Sequence, residues 1–219
     1  MMAEIPLFPL NTVLFPGTDL HLNIFEERYK VMITSCLEDK VPFGVVLIKR
    51  GFEAFDKDVE PFRIGCTAAI HRIEKLENGN FNIVVRGLER FRLLSIMKSN
   101  QPYSIGKIKN FSFKSPRRSG WESNFHELSS LVKRYLNKLS NERKIVIDIS
   151  RIPDTPFELA TFSSNILLIS TLKKQYLLSL ESVDGLLDEL VFIYKRELAL
   201  LDVLLMKKKI VSPGAFSKN

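Results

Sequence analysis

A chain of 219 residues, 45% hydrophobic and 26% charged, can bury a substantial core and has the composition of an ordinary globular protein. Its net charge of +7 brings nucleic acid into view as a partner. Much of that surplus sits at 114–118 and 207–209, however, where it reads as a solvated linker and tail rather than a phosphate footprint.

The first half reads mainly as strands, interrupted by one helix. Pro6, Pro9 and Pro16 remove backbone donors and suit edge or turn positions, and Gly17 suits a turn. Phe25, Tyr29, Met32, Ile33, Cys36 and Leu37 recur at helical spacing and predict a helix over 25–37. Residues 43–50 form a β-branched run after Pro42. Asn78-Gly79 separates two strand-like runs within 64–94 and supplies the positive φ angles of a tight hairpin. Phe81, Ile83 and Val85 alternate with polar partners; the alternation weakens at Gly87, where a bulge is expected, and resumes with Phe91 and Leu93. Residues 103–113 make a further strand.

Beyond a boundary at 114–122 the period becomes helical. Leu128, Leu131, Val132, Tyr135, Leu136 and Leu139 form one stripe. Thr155-Pro156-Phe157-Glu158 is a helix start, with Thr155 as cap and Glu158 placed for a capping box. Another helix covers about 171–180, and the last, about 183–206, carries an apolar repeat from Leu186 to Leu205. The expected class is α+β: a mostly antiparallel β unit over 1–113, a linker over 114–122, a helical bundle over 123–206 and a basic tail over 207–219.

Chemistry-bearing constellations are missing from this pattern. Cys36 and Cys66 cannot build a disulfide framework or a Cys-based zinc site, and read as small buried residues in a reducing compartment. His21, His71 and His126 form no local pair. There is no phosphate-binding glycine loop, no G-x-S-x-G elbow and no H-E-x-x-H. No catalytic, cofactor-binding or metal-ligating residue is assigned, and a non-enzymatic binding role is expected. The N-terminus lacks a basic leader. Asp188, Glu189, Lys195, Arg196, Glu197 and Asp202 bar the last helix from a membrane. A cytoplasmic location is expected.

One stretch is distinctive. Ile5-Pro6-Leu7-Phe8-Pro9-Leu10-Asn11-Thr12-Val13-Leu14-Phe15-Pro16-Gly17, followed by Leu20-His21-Leu22-Asn23-Ile24-Phe25-Glu26-Glu27-Arg28-Tyr29, closely resembles the opening of the Lon protease N-terminal domain family. Residues 43–48, Gly65-Cys66, Gly87-Leu88-Glu89-Arg90-Phe91-Arg92, 131–135, 156–160 and 174–178 match that family's pattern in order. The resemblance spans roughly 4–206. It implies a PUA-like pseudo-barrel followed by a helical bundle, and a role in gripping unfolded or partner polypeptide. It does not imply proteolysis, since no ATPase or peptidase motif occurs in these residues.

Expectations for individual residues follow. Glu26, Arg28 and Tyr29 are read as contacts that lock the first helix to the sheet or meet a partner. Apolar surface between the β unit and the bundle is the expected grip. An alternative reading, an RNA-binding module, would use Arg86, Arg90, Arg92, Lys107 and Lys109 as a basic strip on neighbouring strands. The end of the last helix, around Leu204 and Leu205, is expected either to fold back onto the β unit or to self-associate with a second chain.

Overall fold

The computed structural model describes residues 2–51, 60–97, 99–116, 119–144, 146 and 148–211. Its strands are β1 (Met2–Leu10), β2 (Asp19–Ile24), β3 (Phe43–Arg50), β4 (Glu60–Pro61), β5 (Ile64–Lys75), β6 (Phe81–Met97) and β7 (Ile105–Asn110). The helices are α1 (Glu27–Glu38), α2 (Trp121–Arg143), α3 (Pro156–Ile166), α4 (Thr171–Ser179) and α5 (Val183–Val211), with a 3₁₀ turn at Ile149–Arg151. Strands run in the order β1-β7-β6-β5-β3, and β1 returns to pair with β3, so five strands close into a ring. The architecture is α+β and mostly antiparallel; β1–β3 is a parallel pair.

Closure depends on β1 changing partners midway. Met2–Pro6 pair with β7, and Leu7–Leu10 pair with β3. This explains how Pro6 and Pro9, expected at edges or turns, sit inside a paired strand. The Leu7 N–H donates to Ser104 O on the β7 side. Successive backbone groups alternate, so the Pro6 nitrogen faces the other side, before pairing with β3 has begun. The Pro9 nitrogen faces the β7 side, where β7 no longer runs. Neither proline removes a donor that the ladder needs.

The ring encloses a small core of Ile5, Leu7, Val46, Phe91, Leu93 and Ile108, and two further cores cover its outside. Phe8, Leu14, Ile24, Phe43, Val45, Cys66, Ile83 and Val85 fill one side, plugged by Tyr29, Met32, Ile33 and Cys36 of α1. Leu47 and Ile64, with Val13 and Phe15 from the β1–β2 connection, pack instead into the cluster formed by α2–α5. Strand β3 turns Phe43, Val45 and Leu47 to these covering cores and Val46 into the ring, so both faces are apolar and residues 43–48 form an unbroken apolar run. Strand and helix cores are continuous across the stretch read as a linker.

In the bundle, Tyr135 of α2 and Tyr194 of α5 meet edge-on at 5.3 Å between ring centroids. The Tyr194 hydroxyl donates to Ser163 O at 3.0 Å, and the Tyr135 hydroxyl accepts from Leu168 N at 3.2 Å. At the start of α3, Thr155 Oγ1 accepts from Glu158 N and donates to Glu158 Oε2.

Two helix limits differ from expectation. Helix α2 begins at Trp121, inside the stretch read as a linker, and α5 continues to Val211, into the stretch read as a tail. Leu200, Val203 and Leu204 are 50%, 51% and 58% exposed, so this end of α5 does not fold back onto the strands. An ion pair between Lys138 and Asp202 holds it to α2 instead.

Candidate functional site

The site is shaped by two local features of β6. The first is a bulge at the entrance to β2. Gly17 N donates to Gly87 O at 2.8 Å, and Gly87 N donates to Thr18 O at 2.9 Å. Gly17 has φ 75°, so two residues of one strand oppose Gly87 on the other. The chains approach so closely here that a Cβ on Gly87 would lie 2.2 Å from Phe15 O. On its other side β6 carries an extra residue between Gly87 and Arg90, opposite Ala68 and Cys66 of β5. That is the irregularity expected at Gly87, and it turns Leu88 out to 45% exposure.

The second feature is Arg90, which is 1% exposed. Its guanidinium lies 4.6 Å from the Phe111 ring centroid and 3.1 Å from that of Phe113. Nη1 donates to Leu178 O at 2.5 Å and to Leu180 O at 2.6 Å, satisfying carbonyls at the C-terminal end of α4. Phe113 in turn meets Phe157 of α3, with centroids 5.9 Å apart. Arg90 thus ties β6 to α4, and through Phe113 to the start of α3.

Between these features opens a cleft of about 1330 Å³, bounded by the strands on one side and by α3 with the preceding turn on the other. Leu88 and Phe157, the latter 39% exposed, present apolar surface to it, with Pro16, Pro153 and Phe162 nearby. Its polar groups are placed around this surface. Arg86 Nη1 pairs with Asp19 Oδ1 at 3.0 Å, and Arg151 and Glu158 stand on the helical side. Such a surface has the chemistry to hold apolar side chains while its charges stay solvated. The cleft lies between strands and bundle, where the grip was expected. Leu88 and Phe157 were not singled out in the sequence; an apolar residue beside the Gly87 irregularity and a phenylalanine in the first turn of α3 were the available signals.

The other expected residues are distributed as follows. Glu26 Oε2 accepts from Arg28 at 2.8 Å, Arg28 lies 4.5 Å over the Tyr29 ring, and Tyr29, 5% exposed, meets Phe8 at 4.2 Å between centroids. The three join the start of α1 to β1, and Glu26 and Tyr29 also border a small cavity of about 240 Å³. The basic strip is not assembled as expected. Arg90 is buried because the C-terminal end of α4, Leu180, Phe111 and Phe113 cover it, so it cannot meet a nucleic acid. Arg86 is engaged by Asp19 at the cleft. Arg92 sits across from Lys109, with Lys107 further along β7, and its guanidinium covers Phe111.

Burial pushes the Cys36 thiol up to about 11 and the Cys66 thiol higher still, the reverse of what a thiolate nucleophile needs. Among the described residues no group of three or more His, Cys, Asp and Glu could hold a metal ion. Among them, too, no helix is long and apolar enough to cross a membrane.

The comparisons with known proteins converge. Residues 4–196 match the family model of the ATP-dependent protease La (LON) substrate-binding domain. A Lon protease of Flavobacterium johnsoniae is 28% identical over 189 residues, covering 85% of this chain and 22% of that protein. A Lon protease of Anaeromyxobacter dehalogenans is 30% identical over 108 residues, 49% of this chain and 13% of the relative. The chain thus spans less than a quarter of the length of these relatives. Among solved structures, a Lon N-terminal domain protein from Xanthomonas campestris superposes with a TM-score of 0.65 at 22% identity, covering 86% of this chain and 97% of that one. The N-terminal domain of a Mycobacterium avium complex Lon protease gives 0.67 at 15% identity, covering 88% and 98%. With the model matched over most of its length, the chain belongs to the Lon substrate-binding domain family.

Proposed function

We propose that the protein is a polypeptide-recognition module that holds unfolded or partly unfolded chains in the cleft between the strands and α3, and does not cleave them. The observation that carries this reading is the cleft itself: about 1330 Å³ of open volume with Leu88 and Phe157 exposed in it, on a substrate-binding domain fold. Unfolded chains expose the apolar side chains that such a surface removes from water, whereas native proteins bury them. Two parts of the proposal concern setting. The protein works in the cytoplasm, and the open face of α5 at Leu200, Val203 and Leu204 is available for self-association.

The test is fluorescence anisotropy with one labelled client in two states: a reduced, carboxymethylated disulfide protein and its native form. Binding of the unfolded form at least about tenfold tighter than the native form is expected, a difference of about 1.4 kcal/mol. The client should be recovered intact after incubation. Equal affinity for both forms, or client fragments that persist through repurification, would overturn the proposal.

A further inference from the structure

Strand β2 pairs with β6 along one side, and among the described residues no strand pairs with the other. The phase of its hydrogen bonds follows from its neighbours. Leu76 N donates to Asn80 O, so Asn80, Asn82 and Val84 direct their backbone groups toward β5. Phe81, Ile83 and Val85 therefore face β2, where they meet Ile24, Leu22 and Leu20. The bulge at Gly17 and Thr18 gives the same phase independently. It follows that Asp19, His21 and Asn23 turn their N–H and C=O groups outward, along an edge of roughly 20 Å at about 3.3 Å per residue.

Edges of this kind pair with other chains unless they are guarded by lysine, proline, bulges or inward charges. The free edge of β5 is guarded: it carries Arg72, Glu74 and Lys75 and a register shift between Ile70 and Arg72. Strand β2, Asp-Leu-His-Leu-Asn-Ile, has no lysine or proline, and its one charge, Asp19, is engaged by Arg86. Its two ends are also informative. Thr18 and Asp19 open into the cleft, while Leu22 and Ile24 border the cavity of about 240 Å³ with Phe8, Tyr29 and Phe25, which is 59% exposed.

We propose that the outer edge of β2 is a strand-addition site for an extended polypeptide segment with apolar residues at alternate positions. The unpaired groups of Asp19, His21 and Asn23 are complemented by another extended main chain, which fixes the chemistry of the occupant. Its inward side chains lie on the side of Leu22 and Ile24, so an apolar one reaches the cavity. Because β2 runs from the cleft to that cavity, the occupant is the continuation of the chain held in the cleft. The proposal rests on the polypeptide-binding reading and adds a main-chain contact to it.

The probe is a labelled ten-residue peptide of alternating valine and threonine, compared with two versions N-methylated at alternate backbone nitrogens. One N-methylated version, with its methyl groups on the edge facing β2, should bind at least about tenfold more weakly, and the other as the parent does. His21→Pro removes an outward N–H while leaving the β2–β6 ladder whole, so it should keep the melting temperature and lose peptide binding. His21→Ala should keep both. If His21→Pro unfolds the chain, the N-methyl pair decides alone. A parent peptide that does not bind, that binds regardless of N-methylation and His21→Pro, or that only drives dimerisation through β2 overturns the proposal. Loss of unfolded-client binding in cleft variants with intact peptide binding keeps the two sites distinct, and failure here leaves the cleft to be judged by its own measurement.

Discussion

Arg90→Ala is expected to destabilise the protein by about 2–4 kcal/mol, because it leaves one buried and one partly buried carbonyl without this donor and opens a gap beside two rings. The carbonyls are those of Leu178 and Leu180, and the rings those of Phe111 and Phe113. Relief from burying a cation offsets part of the loss, which keeps the figure below that of a severed buried ion pair. For a chain of this size the melting temperature should fall by about 5–12 °C. Arg90→Lys should recover little: an ammonium cannot lie flat beside two rings while donating to both carbonyls. Thermal and urea melts check this. A loss under about 1 kcal/mol for the alanine variant would mean that Arg90 does not join β6 to α4.

Gly87→Ala is expected to cost about 3 kcal/mol or more, for a different reason. The new Cβ would meet Phe15 O at 2.2 Å and Leu14 Cγ at 3.1 Å. A carbonyl oxygen cannot move aside as a flexible side chain would, so β6 and the β1–β2 connection must separate. Separation breaks the bonds that Gly87 makes with Gly17 and Thr18. Gly17→Ala separates clash from backbone strain. Gly17 has φ 75° with nothing within 4 Å of the added Cβ, so only the left-handed strain of about 1–2 kcal/mol applies. Urea denaturation of both variants checks the order; Gly87→Ala milder than Gly17→Ala would contradict it.

Much of the fold was legible because local signals coincide with tertiary ones. Asn78-Gly79 marks a real hairpin, though only Gly79 of the two takes a positive φ, and Ile83 and Val85 point into the core that their alternation predicts. The Thr155–Glu158 start and the apolar repeat from Leu186 held for the same reason: capping and periodicity act within one helix. What sequence hid was pairing at a distance. Strand β1 reads as proline-broken because its change of partner, which excuses Pro6 and Pro9, is decided by β3 and β7. Strand β2 was not singled out in the sequence, although Leu20, Leu22 and Ile24 alternate with polar residues as in a half-buried strand.

Arg90 was misread for a related reason. Alternation along a strand reports which face a side chain takes but not whether that face is covered, and the end of α4 with Phe111 and Phe113 covers it here. The cleft was legible only as a location between two units. Its walls combine Leu88 beside an irregularity in β6 with Phe157 from α3, residues far apart in sequence whose approach depends on the Arg90–Phe113–Phe157 contacts.

The most direct test of the central claim is the affinity of the Leu88→Asp, Phe157→Asp double variant for the carboxymethylated client. Both side chains are partly exposed, and an aspartate in the first turn of α3 suits the helix N-terminus, so the variant should stay folded, with a melting temperature lowered by the loss of the Phe113–Phe157 contact. Placing two carboxylates on the apolar surface should weaken client binding by at least about tenfold. A folded double variant that binds the unfolded client as tightly as the parent would contradict the assignment of the cleft as the polypeptide-binding site.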